Sequence, residues 1–170
     1  IQQINKYINE NFSRGEYPIS YRDYQIMGRI GKHFNKIANE LELACIPFVT
    51  VINQEIHPNR KILNDLKNFL SSIIEERGLE KNDHLTMLEL LLKDMIEFDD
   101  TRKKYFISLK NLLVDFKRKH GADSLDAFIE YLKPENIINN CVILRTIHSS
   151  KGTERPITFI LDVNQRSIPM

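Results

Sequence analysis

The chain has 170 residues, enough for one ordinary domain or one domain carrying a sizeable insertion. Its 42% hydrophobic and 28% charged content is that of a globular chain and excludes a disordered or fibrous class. A net charge of +1 provides no global attraction for nucleic acid, so any such binding must come from local patches; no apolar run is long enough to cross a bilayer.

From the amino end, Ile4, Tyr7, Ile8 and Phe12 recur at helical spacing and Arg14-Gly15 ends the pattern, which predicts a helix over Gln2–Phe12. Ile1 opens without a basic leader segment, so the expectation is a cytoplasmic protein of which this chain is one piece. Tyr21–Met27 has the mixture of a strand, closed by Gly28. Phe34, Ile37, Ala38, Leu41 and Cys45 then share one helical face up to Pro47, and Phe48–Ile52 is a β-branched run suited to a buried strand. Strand, helix and strand with short connections make a βαβ unit, hence a parallel sheet.

After His57-Pro58 the texture becomes helical. Ile62, Leu63, Leu66, Phe69, Leu70, Ile73 and Ile74 form one stripe with Gly78 placed as its C′ residue. Leu85, Leu88, Leu91, Leu92 and Met95 form a second, with Asp83 as N-cap. Tyr105, Leu109, Leu112, Leu113 and Phe116 form a third, ending at Gly121. Leu125, Phe128, Ile129 and Leu132 form a fourth, opened by Asp123 or Ser124 and stopped by Pro134. Cys141–Thr146 and Ile157–Val163 are then apolar on both faces, the pattern of central parallel strands. The expected organisation is α/β over 1–55, an all-helical insertion over 56–138, and α/β again over 139–170. Cys45 and Cys141 stand in apolar surroundings and read as buried free thiols; no cysteine–histidine spacing resembles a metal site, so no metal ligands are expected in this chain.

Between the last two strands lies Thr146-Ile147-His148-Ser149-Ser150-Lys151-Gly152-Thr153-Glu154. Such a loop follows the carboxyl end of a parallel strand, where open α/β sheets bind ligands. Hydroxyls, an imidazole, an ammonium, a glycine that admits close backbone approach and a carboxylate are the groups that hold phosphate oxygens and a ribose hydroxyl. On chemistry alone this is a phosphate- or nucleotide-binding loop, or else a polar surface loop capped by its own serines.

Val142 through Glu154, followed by Pro156-Ile157-Thr158-Phe159-Ile160 and Ile168-Pro169, resembles motif V of UvrD/Rep/PcrA-type superfamily 1 DNA helicases. Tyr21–Arg29, a helix and then Ile46-Pro47-Phe48 is similar to the motif IV region of that family, and Leu125-Asp126-Ala127-Phe128-Ile129 resembles the entry to the last helix of its helical 2B subdomain. The resemblance implies a partial RecA-like sheet, P-loop NTPase-like but without the P-loop, namely motor subdomain 2A interrupted by a 2B-like insertion. It further implies an ATP-dependent helicase of DNA repair type. ATP with Mg²⁺ would be held against the missing N-terminal RecA-like subdomain, and single-stranded DNA and a duplex junction would be the partners, with no membrane. Carried over by position, Arg29 would face the ATP γ-phosphate as an arginine finger, Glu154 would accept from the ribose, and Gly152 would allow close approach. Thr146, His148, Ser149 and Lys151 would lie along the single strand.

This chain departs from the family at Thr153, where an apolar residue is usual, and at Arg155, where an aromatic is usual. Gly28-Arg29-Ile30-Gly31-Lys32-His33 is not a phosphate-binding loop, because Ile26 and His33 stand where that motif needs Gly and Ser or Thr. Arg102-Lys103-Lys104 and Lys117-Arg118-Lys119 read either as duplex-gripping clusters or as solvated helix faces. A non-catalytic interaction module and a helicase–nuclease subunit of the RecB/AddA kind are the alternatives. On the leading reading the fragment alone is inactive, since the phosphate-binding loop and the Mg²⁺-binding acids belong to the missing subdomain.

Overall fold

The computed structural model describes residues 20–29, 34–80, 84–121, 124–150 and 154–161. The helix expected over Gln2–Phe12 and the caps expected at Asp83 and Asp123 lie outside these residues. Two units are present, one formed by 1–59 and 138–170, the other by 60–137.

In the first unit, Ser20 closes a capping box: its Oγ accepts from the Arg22 N–H at 3.3 Å, and its N–H donates to Asp23 Oδ2 at 2.7 Å. That box winds Tyr21–Asp23 into a 3₁₀ turn, so strand β1 runs Tyr24–Gly28 rather than starting at Tyr21. Helix α1 (Phe34–Leu43) follows, burying Phe34, Ile37 and Leu41. It ends in a Schellman arrangement, with the Ile46 N–H on the Leu41 carbonyl at 2.9 Å and the Cys45 N–H on that of Glu42 at 3.0 Å. Cys45 occupies the left-handed position (φ 55°) that glycine usually fills.

Strand β2 (Phe48–Ile52) leads into a short strand that the helical expectation for residues 56–138 did not include. This is β3 (Glu55–Pro58), antiparallel to β2 with Ile52 opposite Glu55 and Val49 opposite Pro58. Asn53 and Gln54 both have positive φ (51° and 69°), the backbone of a two-residue type I′ hairpin turn. Pro58 is tolerated because it closes a strand at the end of the sheet. After the second unit come β4 (Val142–Thr146) and β5 (Ile157–Ile160). The order is β3-β2-β4-β1-β5, with every pairing parallel except β2–β3. The fold class is thus α/β with a mixed, mostly parallel sheet. β4 is buried through Arg145. β5 is not the central strand its composition suggests: it stands at the end of the described order, half-exposed, with Ile160 at 51%.

The second unit is helical: α2 (Arg60–Arg77), α3 (Leu85–Phe98), α4 (Lys103–His120), α5 (Leu125–Tyr131) and α6 (Pro134–Ile137). The apolar stripes meet in a core of Leu66, Leu70, Leu85, Leu92, Phe106, Leu109, Leu113 and Phe128, all essentially fully buried. Gly78 and Gly121 take left-handed conformations (φ 64° and 60°) just past α2 and α4, as helix-ending glycines do. Ser124 caps α5 through the Ala127 N–H. α5 ends at Tyr131, before Pro134, and Pro134 opens the next turn rather than merely stopping a helix, a first position that suits a residue lacking an N–H.

The basic clusters here are largely neutralised within the chain. Arg102 meets Asp99 at 2.7 Å and Glu76 at 3.5 Å, Lys103 meets Asp100 at 3.3 Å, and Lys117 meets Glu89 at 2.7 Å. Arg118 and Lys119 both bind the buried carboxylate of Asp115, at 2.7 and 2.5 Å. These contacts fit the reading of the clusters as ion-paired helix faces. No helix among the described residues is long and apolar enough to cross a membrane.

Candidate functional site at the carboxyl ends of the strands

The parallel register sets Gly28 beside Thr146, so β1 and β4 end side by side. Arg29 emerges, exposed, from β1, and the loop beginning at Thr146 emerges from β4. That loop folds at once into a 3₁₀ turn, Ile147–Ser150, because its hydroxyls satisfy the backbone locally. Ser149 Oγ donates to the Thr146 carbonyl at 2.9 Å, Thr146 Oγ1 lies 3.2 Å from Ser149 Oγ, and Ser150 Oγ donates to the Ile147 carbonyl at 2.7 Å. The turn leaves His148 exposed and Thr146 and Ser149 half-buried. His148 is therefore not a core histidine.

Lys151 and Gly152 lie outside the described residues. Glu154 is exposed, three residues ahead of Ile157, which pairs with Tyr24 at the amino end of β1. Next to it, Arg155 Nη1 donates to the Arg22 carbonyl, just before that end of β1. Arg29 and Glu154 are therefore associated with opposite ends of one strand. Burial, and secondarily the charges of Arg145 and Arg22, disfavour the Arg155 cation and lower its pKa. Burial alone does the same to Arg145, which is 7% exposed and whose Nη1 reaches the Ser149 carbonyl at 3.5 Å. Arg145 thus holds the loop from beneath, a role the sequence did not mark.

Beside the loop opens a cavity of about 640 Å³. Thr50 and Ile52 of β2 share a sheet face with Thr146, since Thr50 pairs with Leu144 and side chains alternate along each strand. Phe34, Asn35 and Ala38 of α1 line the cavity from one element, His57 and Asn59 from β3 and the residue after it, and Thr146 and Ser149 from the loop. Asn59 is held by its Nδ2 on Glu42 Oε1 at 2.7 Å. Of the sequence-designated residues, the cavity gathers Thr146 and Ser149; Arg29, His148 and Glu154 are not among its lining. Sequence reasoning missed the contributions of α1 and β3, for which the only signal was the polar His57-Pro58-Asn59 directly after a strand. Among the described residues no group of three or more His, Cys, Asp and Glu side chains is placed to hold a metal ion. Both cysteines are buried and neither forms a disulfide, and burial pushes the Cys141 thiol up to about 12.

No protein-family model matches the chain, and no curated protein matches it.

Proposed function

We propose that the chain is the second motor subdomain of an ATP-dependent DNA helicase or translocase of the UvrD/Rep type, RecA-like in its sheet and carrying a helical insertion. The observation that carries this is the Gly28–Thr146 register, which sets an exposed arginine and a hydroxyl-rich loop at adjoining carboxyl ends of parallel strands. The excursion of residues 60–137 between β3 and β4 supports it as well.

On this reading Arg29 meets the γ-phosphate of ATP bound against the partner subdomain, where a positioned cation stabilises charge as the phosphoryl group transfers. Gly152 and Glu154 address the ribose; γ-phosphate and ribose stand at opposite ends of a nucleotide, so Arg29 and Glu154 have no need to adjoin. Thr146, His148, Ser149 and Lys151 follow the backbone of single-stranded DNA near a duplex junction. Mg²⁺ is held by acids of the partner subdomain, and the chain alone hydrolyses no ATP.

The test uses both forms of the protein. The isolated chain should bind oligo(dT) weakly, losing affinity steeply between 50 and 200 mM salt, and show no ATPase, with salt concentrations chosen on the general scale for phosphate binders, about tenfold or more being diagnostic. In the whole protein, Arg29→Ala should cut DNA-stimulated kcat by roughly 10³-fold or more while single-strand affinity stays within twofold, on the order expected for an arginine finger. Unchanged kcat removes the assignment.

A non-catalytic interaction module is favoured by a different observation: Met87, Leu90 and Phe98 on α3 are exposed at 54%, 60% and 84%. A whole protein that binds single strands yet lacks ATPase would support that second reading.

A further inference from the structure

We infer that the outer face of α3 is a docking surface for an amphipathic helix of another protein, one that carries a lysine or arginine in the middle of its own apolar face. The inference rests on the exposed face that favours the interaction reading above, to which it gives a partner, and on none of the motor assignments. Helix α3 turns Leu85, Leu88 and Leu92 inward, each at most 1% exposed. At about 100° per residue, Met87, Leu90, Leu91, Asp94 and Phe98 fall within an arc of about 100° on the outer side. Three of these are large apolar side chains left more than half exposed, and they form a continuous stripe rather than scattered contacts. From Met87 to Phe98 the stripe runs three turns, about 16 Å, so a helix of similar length covers it with residues at i, i+3, i+4 and i+7.

Charge selects the partner. Glu89 is paired with Lys117 at 2.7 Å, Asp99 with Arg102 at 2.7 Å and Asp100 with Lys103 at 3.3 Å. Asp94 and Glu97 are exposed and form no ion pair among the described residues, and Lys93, at the margin of the stripe, is the one lysine or arginine of α3. Asp94 lies inside the apolar arc, so a partner that covers Met87, Leu90 and Phe98 covers this carboxylate too. An uncharged side chain over it would leave a desolvated charge, whereas a lysine or arginine meets it. A second copy fits poorly. The midpoint of the stripe lies between Leu92 and Lys93, so antiparallel two-fold pairing of the stripe on itself brings Asp94 close to its own twin. An anionic lipid surface fits no better, because helices that lie on one are rich in lysine and arginine, where α3 presents Asp94 and Glu97 beside a single lysine.

The experiment selects helical peptides of about 16 residues, randomised along one face and displayed on phage, on the full chain with counter-selection on Phe98→Asp, then measures the enriched sequences as free peptides by fluorescence anisotropy. The expected peptides hold a lysine or arginine among apolar residues at helical spacing. Exchange of that cation for glutamate should weaken binding to the unaltered chain about tenfold or more, and the glutamate form should prefer the Asp94→Lys chain. Phe98→Asp should lose about tenfold or more for every enriched peptide. Both altered side chains are exposed, and the lysine–glutamate comparison on the unaltered chain stands even if a variant misfolds. Enriched peptides without a cation, or equal binding of the lysine and glutamate forms, overturn the proposed partner. No enrichment over Phe98→Asp overturns the docking face itself. A sedimenting mass that doubles with concentration, and returns to one chain in Phe98→Asp, assigns the face to a second copy and overturns the proposal. ATP hydrolysis by the whole protein would remove the non-catalytic reading and leave the docking face in place, so the two fail separately.

Discussion

Replacing Thr146 by Val separates the structural from the binding role of one hydroxyl. Val keeps the β-branched shape at the end of β4 and removes only Oγ1, whose partner in the folded chain is Ser149 Oγ at 3.2 Å. The stronger contact of the turn survives, because Ser149 Oγ donates to the carbonyl of residue 146 at 2.9 Å and not to its side chain. The loss to stability is one neutral hydrogen bond at a half-buried position, about 0.5–1 kcal/mol. That corresponds to a Tm lower by about 2 °C in a chain of this size.

The loss to single-strand binding is the difference between a bond to charged phosphate, about 1.5–3 kcal/mol, and the bond to Ser149 Oγ given up to make it, so roughly 1–2 kcal/mol, or about five- to thirtyfold in Kd. Salt distinguishes this residue from a cation. A hydroxyl releases no counterion, so the slope of log Kd against log salt is unaltered in Thr146→Val, whereas Arg29→Ala reduces it by about 0.7 if Arg29 meets phosphate of the strand, and leaves it alone if Arg29 serves only the nucleotide. The assay is anisotropy with oligo(dT) over a salt series, alongside a thermal melt. Affinity within twofold of the unaltered chain, with the Tm lowered as calculated, would refute the phosphate contact and leave Thr146 a purely structural cap.

Asp115 is 3% exposed and accepts from Arg118, Lys119 and the Tyr131 hydroxyl, so Asp115→Ala removes a buried acceptor that three donors share; urea unfolding should show a loss of about 2–3 kcal/mol, and Tyr131→Phe about 1. Gly78→Ala should cost about 1 kcal/mol by the same method, all of it backbone strain at φ 64°, since a Cβ there meets nothing within 4 Å. The Cys141 thiol, raised by burial from 9.0 to about 12, should resist alkylation at pH 8 until the chain unfolds. Because its folded pKa is the higher, its contribution to stability is complete below pH 9 and is lost as pH rises from 9 toward 12, which a pH series of melts on Cys141→Ser against the parent checks.

The sheet was legible where β-branched runs are buried on both faces: Phe48–Ile52 and Val142–Thr146 are strands within a residue of expectation. The helical stripes were legible because each buries one face at helical spacing, with Gly78 and Gly121 marking ends by backbone conformation. β3 was not. Glu55-Ile56-His57-Pro58 lacks the composition of a strand, and its turn uses Asn53-Gln54 where a type I′ hairpin usually advertises itself with glycine. Tertiary pairing to β2 overrides that weak local preference. The candidate loop was legible as chemistry, but its companions were not, because α1 and β3 reach it only through the fold. Arg145 was hidden differently: within an apolar strand nothing in the sequence says that a cation will be buried beneath the loop it supports.

The missed hairpin also determines how separable the two units are. The chain leaves the sheet unit after Asn59, whose N–H donates to the Phe48 carbonyl at 3.0 Å, and rejoins it at Ile138, four residues before Val142, whose N–H donates to the neighbouring Pro47 carbonyl at 3.0 Å. Asn59 and Val142 thus flank the first residues of β2 on its two sides, about two strand spacings or roughly 10 Å apart. A Gly/Ser linker of about four to six residues, continued by the retained residues 138–141, covers that distance, and closing so short a gap costs about what any brief loop costs. Excising 60–137 should therefore leave a chain that unfolds cooperatively and still binds oligo(dT) in a salt-dependent way, because the cavity lining and the Thr146 loop all belong to the retained unit. Circular dichroism against urea and the anisotropy assay read the two properties separately. A cooperative transition without binding would place the strand contacts on the helical unit and remove them from Thr146. Loss of the transition itself would mean that the β2–β4 ladder, though complete in its hydrogen bonds, requires the excised helices to fold.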